Sequence, residues 1–257
     1  IGAYTAAILN TRCGIPVVLL IPVCGFTAGL FALIIARPII HLRGDYLCIV
    51  TIGIGEIVRI ALINDVFGIT GGANGIFGIE RPSIFGAVVR SPQHFFYYIW
   101  IIAGTTVFLF HLLENSRFGR ALNYLREDEM AAEGSGVNTA HYKLAAFVVG
   151  AVWAGMTGNI YASKMTIISP ESFSFWESVL MFTIVILGGS GSIPGMLLGA
   201  FLIVGLPELF REFANARMLI FGAAMIAMMI FRTQGLIPAR QRIYRLTETL
   251  GEEGRAA

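Results

Sequence analysis

Residues Ile15–Ala36, IPVVLLIPVCGFTAGLFALIIA, run without a single charged side chain for the ~20 residues that an α-helix needs to cross a bilayer. The rest of the chain agrees with that stretch. Of its 257 residues 56% are hydrophobic and 13% charged, and the mean hydropathy is +0.75, where soluble domains carry roughly 25% charged residues. The pattern predicts an all-α integral membrane protein, a polytopic helical bundle. Pro16 and Pro22 are expected to bend or restart this first span. A net charge of +2 is too mild to suggest nucleic acid as a partner.

Working outward, Ile1–Leu9 reads as the end of a helix already under way, so a truncated N-terminus is expected. Further spans are predicted at Tyr46–Ile63, Phe95–Leu113, Leu144–Tyr161 and Arg217–Phe231. The glycine-rich Asn64–Pro92, containing TGGANG at Thr70–Gly75, suits a loop with a short helix at the membrane surface. Phe95, Phe96, Tyr97, Tyr98 and Trp100 form an aromatic cluster of the interfacial kind. Gly150, Ala154, Gly155 and Gly158 would let helices approach closely. Val179–Leu187 is apolar but short, and it ends in GGSGSIPG at Gly188–Gly195 before Met196–Leu206 resumes. This predicts a broken or re-entrant pair of helices, tolerated at membrane depth where it is buried or lines a wet cavity, with a tight turn at the membrane surface as the alternative. Gly71, Gly72, Asn74, Gly188, Gly189 and Gly191 are therefore candidates for the bundle interior or a pathway. Glu56 and Arg59, the only charges inside a span, join them. Cys13, Cys24 and Cys48 have no paired or metal-type spacing and read as small buried hydrophobes.

The longest polar run is Ser116–Lys143, SRFGRALNYLREDEMAAEGSGVNTAHYK. Phe118, Ala121, Leu122 and Leu125 recur at the spacing of one helical face, with Arg120, Asn123 and Arg126 elsewhere. A charge run, Arg126 to Glu129, leads into a second short helix at Met130–Glu133, stopped by Gly134 and Gly136. With this loop placed inside, eleven Lys and Arg residues share its side, six lie opposite, and Arg59 is within a span. The positive excess marks the loop as cytoplasmic.

Chemistry motifs are absent. His41, His94, His111 and His141 are scattered, which argues against a metal site. No nucleophile elbow or catalytic constellation occurs, so no catalytic residue and no cofactor are expected. GGSGSIPG has the composition of a phosphate loop but lacks the G-K-[ST] ending. A membrane protein with a helical cytoplasmic loop and no motor of its own fits a permease driven by a separate ATPase.

Several stretches then resemble one family. GAYTAAIL at Gly2–Leu9, LRGDYLCIVTIGIGEIVR at Leu42–Arg59, TGGANGI, REDEMAAEGSGVNTAHYKLAAFVVGAVWAGMTGNIYA, SPESFSFWES, ILGGSGSIPGMLLGA, LPELFR and RTQGL follow the order found in LivM-type permease subunits of branched-chain amino acid ABC importers. The resemblance covers nearly the whole chain. It implies one transmembrane permease domain over residues 1–257 in the cell inner membrane. The implied partners are a second homologous permease, two cytoplasmic ATPases and an extracytoplasmic substrate-binding protein. Residues 116–143 would be the coupling loop, with Arg126, Glu127, Asp128, Glu129, Ala131, Ala132, Gly134 and Gly136 as ATPase-coupling residues. In that role Ala131 and Ala132 would offer a small contact face, and Glu127, Asp128 and Glu129 would meet basic groups. A urea or short-amide permease of the same superfamily is the near alternative. A stand-alone secondary carrier is the distant one.

Overall fold

The computed structural model describes residues 1–42, 45–66, 68–84, 87–88, 91–189 and 191–205, with Glu208, Ile226, Leu236 and Ile237. Its helices are α1 (Gly2–Cys13), α2 (Val17–Ile39), α3 (Asp45–Ile63), α4 (Pro92–Asn115), α5 (Arg117–Glu127), α6 (Glu129–Gly134), α7 (Thr139–Met165), α8 (Phe175–Gly188) and α9 (Ile193–Ala200). Among the described residues, five helical segments are long and apolar enough to cross a membrane: α2, Tyr46–Ile63 of α3, α4, α7, and Pro170–Gly188. This last stretch corrects the expectation from Val179–Leu187. The helix starts earlier, at Phe175, and a preceding 3-10 turn, Pro170–Phe173, extends it. The expected span at Arg217–Phe231 lies outside the described residues except for Ile226. Pro16 ends up as the residue before α2 rather than inside it, where its fixed φ suits a helix start, whereas Pro22 and Pro38 lie within the helix.

The chain divides into two compact units, Ile1–Glu177 and Ser178–Ala257. In the first, α7 packs along both α1 and α2. Lipid is as apolar as leucine, so helices in a bilayer associate through close van der Waals contact, and small residues permit it. Gly155 faces the backbone of Cys24 and the Ala28 side chain, where an added Cβ would lie 2.5 Å from Ala28 Cβ. Gly158 lies against Ala3 of α1, whose backbone nitrogen would be 2.9 Å from an added Cβ. Gly150 and Ala154, expected in the same role, are exposed instead. A buried polar group fastens this core: Asn159, fully buried, donates from Nδ2 to the Val17 carbonyl at 3.0 Å. Of the cysteines only Cys24 is buried. Cys13 and Cys48 are exposed, which corrects their reading as core residues.

Among the described residues, four two-residue strands lie between the helices. β1 (Ile76–Phe77) pairs antiparallel with β4 (Ile167–Ile168), and β2 (Ser83–Ile84) with β3 (Ala87–Val88). Residue 76 follows α3 and residue 168 follows α7, so this ladder holds the far ends of both helices together. Asn10 closes the same end: its Nδ2 donates to the Ile15 carbonyl at 3.0 Å, and its Oδ1 accepts from the Glu80 N–H at 2.9 Å.

In the second unit α8 and α9 meet backbone to backbone. A Cβ at Gly188 would lie 2.7 Å from the Gly195 carbonyl carbon, and one at Gly199 would lie 2.7 Å from the Ile184 oxygen. Gly189 and Gly191 take φ of 109° and 87°, which only glycine adopts readily. The expected helix break is present.

These contacts lead to a stability prediction. Gly155→Val should destabilise the detergent-solubilised chain by the ~1–3 kcal/mol typical of overpacking and so lower its melting temperature. Gly104→Val, on α4 with nothing within 4 Å, should leave it nearly unchanged. Thermal unfolding of the two variants side by side checks the pair, and equal melting would contradict the close approach of α7.

Candidate coupling loop and interior polar sites

The polar loop is built from caps. Ser116 ends α4 and starts α5, donating from Oγ to the Leu113 carbonyl at 2.6 Å and accepting from the Gly119 N–H at 3.2 Å. Arg120 Nη1 donates to the Asn115 carbonyl at 2.8 Å, satisfying an acceptor that the end of α4 leaves open. The α5 face falls as the spacing predicts: Ala121 is buried, Phe118, Leu122 and Leu125 are half-buried, and Arg120, Asn123 and Arg126 are exposed. Phe118 packs on Tyr142 in the first turn of α7, with ring centroids 5.8 Å apart.

A helix of six residues is far too short to hold itself together in water. α6 relies on its surroundings. Asp128 caps it, Oδ1 accepting from the N–H groups of Met130 at 2.9 Å and Ala131 at 3.0 Å. Glu129 pairs with Lys143 of α7 at 2.5 Å, a half-exposed ion pair worth ~0.5–1 kcal/mol. Glu133 accepts from the Thr139 hydroxyl at 2.8 Å. The turn after it is left-handed at Gly136, with φ 82°, while Gly134 stays within the helix.

This geometry revises the expected contact face. Ala132 is buried at 4% exposure against its own chain, and Glu129 is engaged by Lys143, so neither points outward. Glu127, Asp128, Ala131, Gly134 and Gly136 are exposed, as is Arg126. Met130, at 73% exposure, is the largest apolar group α6 presents. Lys143, Thr139 and Met130 escaped the sequence reading. Helical phase could have found Met130, which lies two residues and so about half a turn from Ala132. The pairing of Glu129 with Lys143 joins two helices and leaves no local signal.

At the other end of α7, TGGANG is held by a residue outside the motif. Asp65 Oδ1 accepts from both the N–H and the hydroxyl of Thr70, each at 2.7 Å, and the same hydroxyl reaches the Leu62 carbonyl at 3.0 Å. Those bonds, the Thr70 hydroxyl foremost, hold the Asp65 carboxyl below its ordinary pKa. Gly72–Asn74 form a single 3-10 turn, with Asn74 exposed and Gly71, Gly72 and Gly75 at positive φ. Gly75 lies against Ile168 and Ser169, where a Cβ would be 2.8 Å from Ser169 Cα.

Glu56 and Arg59 pair with each other on α3, Nε to Oε2 at 2.7 Å. Each alone at a bilayer centre would cost about 2.5–3.5 kcal/mol, and pairing reduces that. The pair is not part of the α1–α2–α7 interior. At 29% and 34% exposure, Arg59 and Glu56 lie on a span with no buried residue. Gly188, Gly189 and Gly191 sit at the α8–α9 break.

Against known proteins, residues 1–230 match the family model described as branched-chain amino acid transport system / permease component. The chain is 39% identical over 261 residues to the high-affinity branched-chain amino acid transport system permease protein LivM of Escherichia coli K12, covering 93% of this chain and 61% of that protein. The probable LivM of Methanocaldococcus jannaschii is 25% identical over 241 residues, 87% of this chain and 68% of that one. LivH of Escherichia coli K12 is 31% identical over 135 residues, 52% of this chain and 42% of that one. The chain thus spans about three fifths of the length of the bacterial LivM relatives it matches. No solved structure matches it.

The Asp65 brace sets a pH dependence. Its carboxyl binds a proton less readily folded than unfolded, so the brace contributes fully above the ordinary carboxylate pKa of ~3.9. It is lost as pH falls through the lower folded value. Hydrogen exchange should show the Thr70 amide protected from neutral pH down to ~4 and exposed only below that. Asp65→Ala should expose it at neutral pH, and opening of the wild-type loop between pH 7 and 5 would contradict the brace.

Proposed function

The chain belongs to the family of branched-chain amino acid transport system permease components, and from that membership we propose that it is the transmembrane permease subunit of an ABC importer. It is a multi-pass membrane protein. In this reading it forms one permease domain in the cell inner membrane and carries branched-chain or related small amino acids. Hydrolysis of ATP belongs to two separate cytoplasmic subunits. A second homologous permease and an extracytoplasmic substrate-binding protein complete the importer. The relatives named LivM and LivH within one organism support a paired arrangement.

The observation that carries the reading is the braced α5–α6 unit. It joins two membrane-crossing helices, α4 and α7, and is tied to both by the Ser116 and Arg120 contacts, the Phe118–Tyr142 packing and the Glu129–Lys143 pair. A loop serving only as a connector has no need of such bracing. A loop that transmits the closing of an ATPase to two spans must be stiff, and its outward face is the place of contact. That face is Glu127, Met130 and Ala131, with residues 116–143 on the cytoplasmic side.

Ala131→Arg places bulk and charge on the exposed face and leaves the buried Ala132 alone. The variant is expected to insert at wild-type abundance but to lose substrate uptake at least tenfold in the assembled importer, a change equivalent to ~1.4 kcal/mol. Co-purification of the ATPases and vesicle uptake of leucine measure it. Normal assembly with normal uptake would return the loop to the role of a connector.

A further inference from the structure

α6 meets α7 at two points whose spacings match. Glu129 and Glu133 are four residues apart, and so are Thr139 and Lys143, which puts each pair on one face of its own helix. The pairs bond in crossed order: Glu129 accepts from Lys143 at 2.5 Å, and Glu133 accepts from the Thr139 hydroxyl at 2.8 Å. That is the order of an antiparallel hairpin. It is closed by the left-handed Gly136 and by Asn138, which caps α7 by accepting from the His141 N–H at 3.0 Å. Between the two rungs, on the same face of α6, lies the buried Ala132.

A single contact between two helices is a pivot. Two contacts one helical turn apart, about 6 Å along the axis, remove that freedom, and α6 can neither roll nor swing on α7 without breaking one of them. Ala131 follows Glu129 by two residues, which places it on the opposite side of α6 from the rungs, and it is exposed there. A load arriving on Ala131 therefore presses α6 onto α7, and the rungs decide whether α7 follows. Toward α5 the chain is different: the backbone is extended at Asp128, with φ −154°, and the helix axis is broken there. Beyond the rungs α7 continues unbroken to Met165, past its close contacts with α1 and α2 at Gly158 and Gly155.

We propose that Thr139 and Lys143 are positioning residues for energy coupling: as a two-point clamp they make α6 and α7 one body, so that displacement of α6 by an ATPase is delivered along α7 and not absorbed in the turn between the two helices. This rests on the importer reading above. The rungs differ in kind, one ionic and one neutral. Exchanging the charges preserves the first, and keeping a hydroxyl preserves the second.

The test uses the assembled importer, purified through an ATPase subunit and reconstituted in vesicles, and reads leucine taken up per ATP hydrolysed. A change that only lowers the amount of folded importer scales uptake and hydrolysis together and leaves that ratio alone. Lys143→Glu should lower the ratio at least fivefold, and so should Glu129→Lys. The double variant Glu129→Lys/Lys143→Glu should return it to within twofold of wild type. Thr139→Val should lower it at least twofold, and Thr139→Ser should restore it. Where a charge reversal fails to assemble, the Val and Ser variants at 139 decide by the same ratio. If the single variants leave the ratio unchanged, or the double variant stays as low as either reversal, the clamp is overturned, while ATPase co-purification and ATP-driven uptake by the wild type still uphold the importer reading. If the wild-type chain recovers no ATPase, both fall.

Discussion

Everything in the first unit depends on how near α7 comes to α1 and α2. A bilayer gives no hydrophobic reward for putting one apolar helix against another, so the attraction must come from many short contacts and a few hydrogen bonds. Gly155 and Gly158 bring the backbones together, and Asn159 converts the nearness into a directed bond to Val17. Without the glycines Asn159 would hang short of its acceptor. Without Asn159 the same surfaces could slide along one another. The two features constrain different motions, and together they fix the depth and rotation of α7.

With α7 fixed, both polar ends are fixed as well. Its first turn carries Thr139, Tyr142 and Lys143, which hold α5 and α6. Its last residues lead into β4, which holds β1 and, behind it, the Asp65–Thr70 turn. At 27 residues and 1.5 Å per residue, α7 sets these two assemblies about 40 Å apart, close to the full thickness of a bilayer with its headgroups. It is a strut with the braced α5–α6 unit at one end and a tied loop at the other.

What the sequence made legible follows from the range of the forces. Spans were legible because length and apolarity are local, and α2, α3, α4 and α7 fall where those properties put them. The face of α5 was legible because helical periodicity is local too. Partnerships across the chain were not. Nothing in REDEMAAEG says that Glu129 is spent on a lysine in the next helix, that Ala132 turns inward, or that Glu133 meets Thr139. The short strands β1 and β4 were equally hidden, since each is two residues long and exists only because the other is there. Cys48 shows the reverse error: an apolar neighbourhood in sequence promised burial, but the residue is exposed.

The break between α8 and α9 extends the same physics to the second unit. Its GGSGSIPG sequence has the glycine content of a phosphate cradle, in which successive N–H groups turn toward a bound anion. Here those groups turn inward. The N–H groups of Gly189, Ser192 and Met196 donate to the carbonyls of Val185, Gly189 and Ser192, and that of Gly195 donates to the Ser192 hydroxyl. The carbonyls of Leu187 and Gly188, orphaned where α8 stops, accept from the N–H groups of Leu236 and Ile237. A Cβ at Gly195 would be 3.1 Å from the Ile237 oxygen. Three backbone segments therefore converge at one point, and glycine is needed there because a side chain at Gly188 or Gly195 would hold them apart. The motif is a crossing of main chains, and that is how an interrupted helix satisfies its polar groups where water is scarce.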